Sequence, residues 1–221
     1  MTGEKKYPIY LLSFPNRYLL SVTFARVQEH YESPTLRGKV FSWEEFLDAY
    51  AEEDGKFTYL NDWAGYNVPS SALRLFLQGK FDPLTHKERR LLDLFRLVPE
   101  PFYVIAVEKG DEHAAAHEIV HGLFALVPEY REAVIETLKG FDLSKTRRYL
   151  QSIKYDVSVL DDELNAYLTT GLDFHAKDKD FKRARRALVT LFRDRFGFEP
   201  TNRNGRQRLL AMIHQMDFQP A

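Results

Sequence analysis

The hydrophobic pattern of the chain changes period at Gly110, and that change limits the architectures open to it. Residues 101–110, "PFYVIAVEKG", are β-branched and aromatic and end on glycine, which predicts a strand. From Asp111 onward apolar residues recur at helical spacing. Helices are expected near 112–127, 129–139, 144–152, 158–170, 179–196 and 206–216. The first hundred residues mix both signals. "YPIYLLSF" (7–14) and "KFTYL" (56–60) read as strands. A helix is expected from about 18 to 32, stopped before Pro34, whose ring disfavours a helical residue ahead of it. Ser42 with Glu45, and Thr85 with Glu88, form capping boxes that open two further helices, and Ser70 or Ser71 opens another between them. "NDWAGYNVPSS" (61–71) reads as an aromatic loop. No stretch has the composition of a linker. The expectation is a single α+β domain over 1–221, mixed over 1–100 and mainly helical over 101–221.

Composition decides which chemistries are open. The 221 residues include 17 Phe and 12 Tyr and are 44% hydrophobic, enough for a substantial core and unlike a disordered chain. There are no cysteines, so any metal must be held by His, Asp or Glu. No stretch approaches a membrane span, and the short, proline-broken apolar run near the N-terminus does not read as a signal peptide, so a cytoplasmic protein is expected. The net charge of −1 attracts no polyanion globally. It is unevenly spread, because residues 175–221 carry 11 Lys/Arg against 5 Asp/Glu, a local +6 that leaves −7 elsewhere.

Three histidines, His113, His117 and His121, lie four apart inside "DEHAAAHEIVHGLF" (111–124). Helical residues at that spacing share a face about 6 Å apart along the axis, so His117 and His121 can close two imidazoles on one ion at roughly 2 Å per bond. Glu118 is turned about 100° from His117, beside that ion, where it can take a proton from a water. Ala116, Val120, Leu123, Phe124 and Val127 form an opposite apolar stripe that would anchor the helix. A Zn2+ ion that keeps one position open for water needs a third protein ligand. Asp161, Asp162, Glu163, Asp173 and His175 are the candidates downstream. In "VLDDELNAYLTTG" (159–171), Leu160, Leu164, Tyr167 and Leu168 define an apolar stripe that includes Glu163, whereas Asp162 projects to a more polar side. A carboxylate on a buried stripe needs a metal or a cationic partner. Glu163 is therefore the expected third ligand, with pairing to an arginine as the plainer alternative. His113 extends the same face by one turn, either as an exposed first-turn residue or as a group behind the ligands.

His117-Glu118-x-x-His121, followed by the helix Glu163-Leu164-Asn165-Ala166-Tyr167, resembles the zincin metallopeptidases. Within them it is most similar to the gluzincins, in which a downstream helical Glu completes the zinc site. The resemblance covers residues 101–171. It implies zinc-dependent hydrolysis of a peptide or protein substrate with Glu118 as general base. It also implies an edge strand that holds substrate backbone, and "YVIAVEK" (103–109) stands where that strand belongs. A Tyr or His that stabilises the oxyanion is implied too, for which Tyr130, Tyr167 and His175 are available. The third histidine and Met-turn of metzincins are not present.

A reading from another class is a zincin-like binding or regulatory module with weak turnover, contacting an acidic partner or nucleic acid through the basic C-terminal region. In "KDKDFKRARRALVTLFRDRFGF" (177–198), Phe181, Ala184, Leu188, Leu191 and Phe192 make an apolar stripe and the basic residues lie mostly off it. That is the pattern of an ordinary surface helix, so nucleic acid is not the expected partner. A purely structural histidine cluster is the third reading, and it predicts no bound metal.

Overall fold

The computed structural model describes residues 6–55, 57–153, 155–171 and 178–218, which form an α+β fold. Two compact units are present, each drawn from separate parts of the chain. A sheet unit combines Pro8–Asp111 with residues 215–218, and a helical unit combines Glu112–His214 with Tyr7.

The sheet contains β1 (Ile9–Phe14), β2 (Gly65–Pro69), β3 (Tyr103–Glu108) and β4 (His214–Asp217), in the order β2-β3-β1-β4. β1 and β3 run parallel, from Ile9 opposite Tyr103 to Phe14 opposite Glu108, while β2 runs antiparallel to β3. A parallel pair needs a long crossover. Here that stretch contains α1 (Arg17–Glu32), α2 (Trp43–Asp54), α3 (Ser70–Leu77) and α4 (His86–Phe95). Leu12, Phe14, Val104 and Ala106 point to one face of the sheet and join Leu20, Phe24, Phe76 and Leu91 in one core. Both capping boxes form reciprocally, Ser42 with Glu45 and Thr85 with Glu88. Glu88 has a second task. Arg26 donates to its two carboxylate oxygens, each at 2.7 Å, and to the carbonyls of Phe41 and Phe81 at 3.2 and 3.1 Å. Both residues are 1% exposed, and a pair so buried is tolerated only when its remaining donors find acceptors.

Several expectations are corrected in this unit. Tyr59–Asn61 is a 3-10 turn, so no strand forms within 57–60, and the strand is β2, inside the expected loop over 61–71. The backbone of β3 supplies the pairing that decides this, a long-range effect that outweighs local propensity. β3 is not an edge strand: β2 and β1 bond it on either side, and Tyr103–Val107 are buried. An unbroken apolar run is what an interior strand takes, and a backbone already paired on both sides has no ladder to offer a substrate.

The helical unit contains α5 (Glu112–Leu126), α6 (Pro128–Lys139), α7 (Ser144–Ser152), α8 (Leu160–Thr170), α9 (Lys179–Phe196) and α10 (Arg203–Ala211). α5 packs on α6, α8 and α10 and is buried without a break from Ala115 to Phe124, as a central helix must be. α9 packs on α6 and α8 and buries Phe181, Ala184, Leu188 and Phe192. Asp178 caps α9, accepting from the amides of Asp180 and Phe181 at 2.9 and 3.2 Å. Gly205 in α10 is obligatory, because a Cβ there would stand 1.8 Å from the Glu199 carbonyl oxygen. The last helix was expected to run to 216 but stops at Ala211, and the chain goes on to β4 at the edge of the sheet. No helix among the described residues is long and apolar enough to cross a membrane.

Candidate metal centre

α5 and α8 pack against each other within the helical unit, and His117, His121 and Glu163 meet between them. The Nε2 atoms of His117 and His121 are 3.2 Å apart. Glu163 Oε1 lies 3.6 Å from His121 Nε2, and Oε2 lies 3.8 Å from His117 Nε2. Two donors bound to one tetrahedral zinc at roughly 2.05 Å stand about 3.3 Å apart. The two carboxylate contacts fall on different oxygens of Glu163, and one ligand atom from each of the three residues lies within 4.8 Å of the other two, so the donor set can close on a zinc-sized ion after a small shift of the side chains. The three side chains are buried, with exposures of 8%, 2% and 3%.

Local sequence explains how α8 presents its carboxylates. Asp161, Asp162 and Glu163 fill its first turn, where the free N–H groups of a helix favour negative charge. Leu160, Leu164 and Leu168 bury one side and rotate Glu163 inward. Asp161 turns away and pairs with Arg147. Asp162 departs from its expected polar orientation: its Oδ1 makes an ion-pair contact at 2.9 Å with His121 Nδ1. A carboxylate on the far nitrogen holds a ligating imidazole in the orientation that presents Nε2.

The other expected site residues separate into groups. Glu118 is buried next to His117 on α5, and its charge acts on His121, Tyr155 and Tyr167. The Tyr167 ring lies 4.5 Å from the His117 ring, and its hydroxyl is 2.9 Å from that of Tyr155. Tyr130 is buried with its hydroxyl donating to Asn165 Oδ1 at 2.8 Å. His113 is exposed and is not part of the three-residue group. His175 and Asp173 lie outside the described residues. Asp162 is among the candidates in the sequence but is placed there on the polar side, whereas Tyr155, which precedes the helix, gives no signal in the sequence.

Electrostatics at the centre are dominated by burial and by three carboxylates. Burial lowers the His117 imidazole well below its ordinary value of 6.5, and neighbouring His121 adds to the effect. Burial works in the same direction on His121, but Asp162, Glu163 and Glu118 together outweigh it and hold that imidazole well above 6.5. A proton on His121 thus balances the carboxylates when no cation does, and a divalent cation would displace it. Burial also raises the phenols of Tyr155 and Tyr167, with the charge of Glu163 adding to it, so both remain protonated donors at neutral pH. Comparison of the chain with protein-family models, with curated proteins and with solved structures finds no match.

Proposed function

We propose that the chain is a zinc-dependent metallopeptidase of gluzincin type, acting on a peptide or protein substrate. The observation that carries this reading is the buried convergence of His117, His121 and Glu163 at metal-ligand spacing. Two imidazoles and one carboxylate leave the fourth tetrahedral position for water, the arrangement of catalytic zinc. Bound there, zinc would acidify that water and polarise the scissile carbonyl.

Each protein group then has a task. Asp162 holds His121 in its ligating orientation. Glu118 accepts a proton from water as the water oxygen adds to the amide carbon, and returns it to the nitrogen as the C–N bond breaks. Tyr167, with its hydroxyl beside that of Tyr155, donates to the oxygen that gains negative charge at the tetrahedral stage. Burial of the site strengthens each of these interactions by excluding water.

The test measures zinc content and cleavage of a broad peptide library for wild type and Glu118→Gln. Both proteins should carry zinc, and cleavage by Glu118→Gln should fall by a factor of about 100 or more. Equal cleavage at full metal refutes the base assignment. Zinc-loaded wild type that cuts nothing would favour a binding module instead, a reading supported by the exposed Lys182, Arg183 and Arg186 on α9, which suit an acidic partner.

A further inference from the structure

Tyr155 lies between α7 and α8, outside both helices, yet its hydroxyl meets that of Tyr167 on α8 at 2.9 Å. Its backbone is pinned on both sides. The Tyr155 amide donates to the Leu150 carbonyl at 3.1 Å, and the next residue, Asp156, accepts from the Ser158 amide at 2.9 Å and closes the turn ahead of α8. The two phenol rings meet edge-on, with centres 6.4 Å apart and planes at 82°. On its other side the Tyr167 ring lies 4.5 Å from the imidazole ring of His117. Tyr167 is thus held between a proposed metal ligand and a second phenol. Both tyrosines are half-buried, while His117 is buried, so the pair stands nearer the surface than the ligand beside it.

A phenol carries a single proton to donate. If Tyr167 gave that proton to Tyr155, none would remain for a substrate oxygen. In catalysis Tyr155 must therefore be the donor of the pair and Tyr167 the acceptor. A hydroxyl that accepts one hydrogen bond is polarised into a stronger donor of the next. We propose that Tyr155 is a positioning residue, which by donating to the Tyr167 hydroxyl fixes that phenol and leaves its proton for the oxygen that gains charge at the tetrahedral stage. The inference rests on the hydrolase reading above. Tyr155 acts through Tyr167 alone.

The test is a double-mutant cycle on zinc-loaded, full-length protein. Zinc content, kcat and KM for a cleaved peptide are measured for wild type, Tyr155→Phe, Tyr167→Phe and the double variant. Tyr167→Phe should lower kcat by about 100-fold, as loss of an oxyanion donor does. Tyr155→Phe, which removes one hydroxyl and keeps the ring, should lower kcat by about 5- to 10-fold, the worth of one hydrogen bond, with KM and zinc content unchanged. The double variant should be no slower than Tyr167→Phe, because a group that acts through a hydroxyl has nothing to act on once that hydroxyl is gone. A merely structural tyrosine would instead slow both backgrounds by the same factor. Three results overturn the assignment and leave the metal centre standing: wild-type kcat in Tyr155→Phe, an undiminished effect of Tyr155→Phe in the Tyr167→Phe background, or a larger loss from Tyr155→Phe than from Tyr167→Phe. If Tyr155→Phe does not fold, Tyr155→Met also removes the hydroxyl and is read by the same outcomes. Zinc-loaded wild type that cleaves no peptide overturns the hydrolase reading and this inference together.

Discussion

Glu163 is the residue on which the proposed chemistry turns, because a carboxylate only 3% exposed persists only among cations or protons. Glu163→Gln preserves its shape and removes its charge. Its zinc affinity, read by competition with a chromophoric chelator, should fall further than the roughly 10–100-fold loss expected for Asp162→Asn. The two imidazoles set a pH dependence of opposite signs. His121, held above 6.5 when folded, stabilises the metal-free protein fully below about pH 6.5, and that contribution is lost as pH rises through its folded value. His117, held below 6.5, remains neutral when folded, so stability is lost as pH falls from about 6.5 through its folded value. Urea unfolding of metal-free protein should therefore show the two histidines' contribution greatest near pH 6.5. Removing both in His117→Phe/His121→Phe should flatten that maximum, and an unchanged profile would contradict the assignment. The two histidines and Glu163 were legible in the sequence because helical spacing alone puts each on its face. Asp162 was misread because the first turn of a helix has two inward directions, and only the packing of α5 on α8 chooses between them.

At the scale of elements, α8 must be rigid for the centre to be preorganised. Leu164, 1% exposed on its buried side, anchors it. Leu164→Ala should cost about 2–5 kcal/mol by chemical denaturation. Gly171 closes the helix at φ 94°, a left-handed conformation that an L side chain rarely adopts, while the nearest obstacle to a Cβ is the movable end of Arg185. Gly171→Ala should therefore destabilise by about 1 kcal/mol or more, against the slight gain alanine brings at an unstrained site. A stabilised variant would show that this left-handed cap is not required. Helices whose start is written in three or four neighbouring residues, such as those opened by Ser42 and Thr85, were legible. β2 and β4 were not, because a four- or five-residue strand is decided by a partner far along the chain. The same limit hid the interior position of β3, since nothing local to residues 103–108 says that Gly65–Pro69 will pair with it.

For the molecule as a whole, the α+β class followed from the change of period at Gly110, while the division into two units did not, because each unit recruits residues distant in sequence. In the sheet unit, Arg26→Met would leave Glu88 charged, buried and without its guanidinium, at a cost of about 3–5 kcal/mol. In the helical unit, zinc at a free concentration of about 100 times its Kd should stabilise the folded chain by about 2.7 kcal/mol, and a chelator should abolish that increment. The most direct test of the metal centre is X-ray absorption at the zinc edge on zinc-loaded, full-length protein. The geometry predicts a four-coordinate ion with two imidazole nitrogens at about 2.0–2.1 Å and carboxylate and water oxygens completing the shell, with one imidazole lost in His117→Ala. Zinc surrounded by oxygen alone, or a spectrum unchanged in His117→Ala, would contradict it.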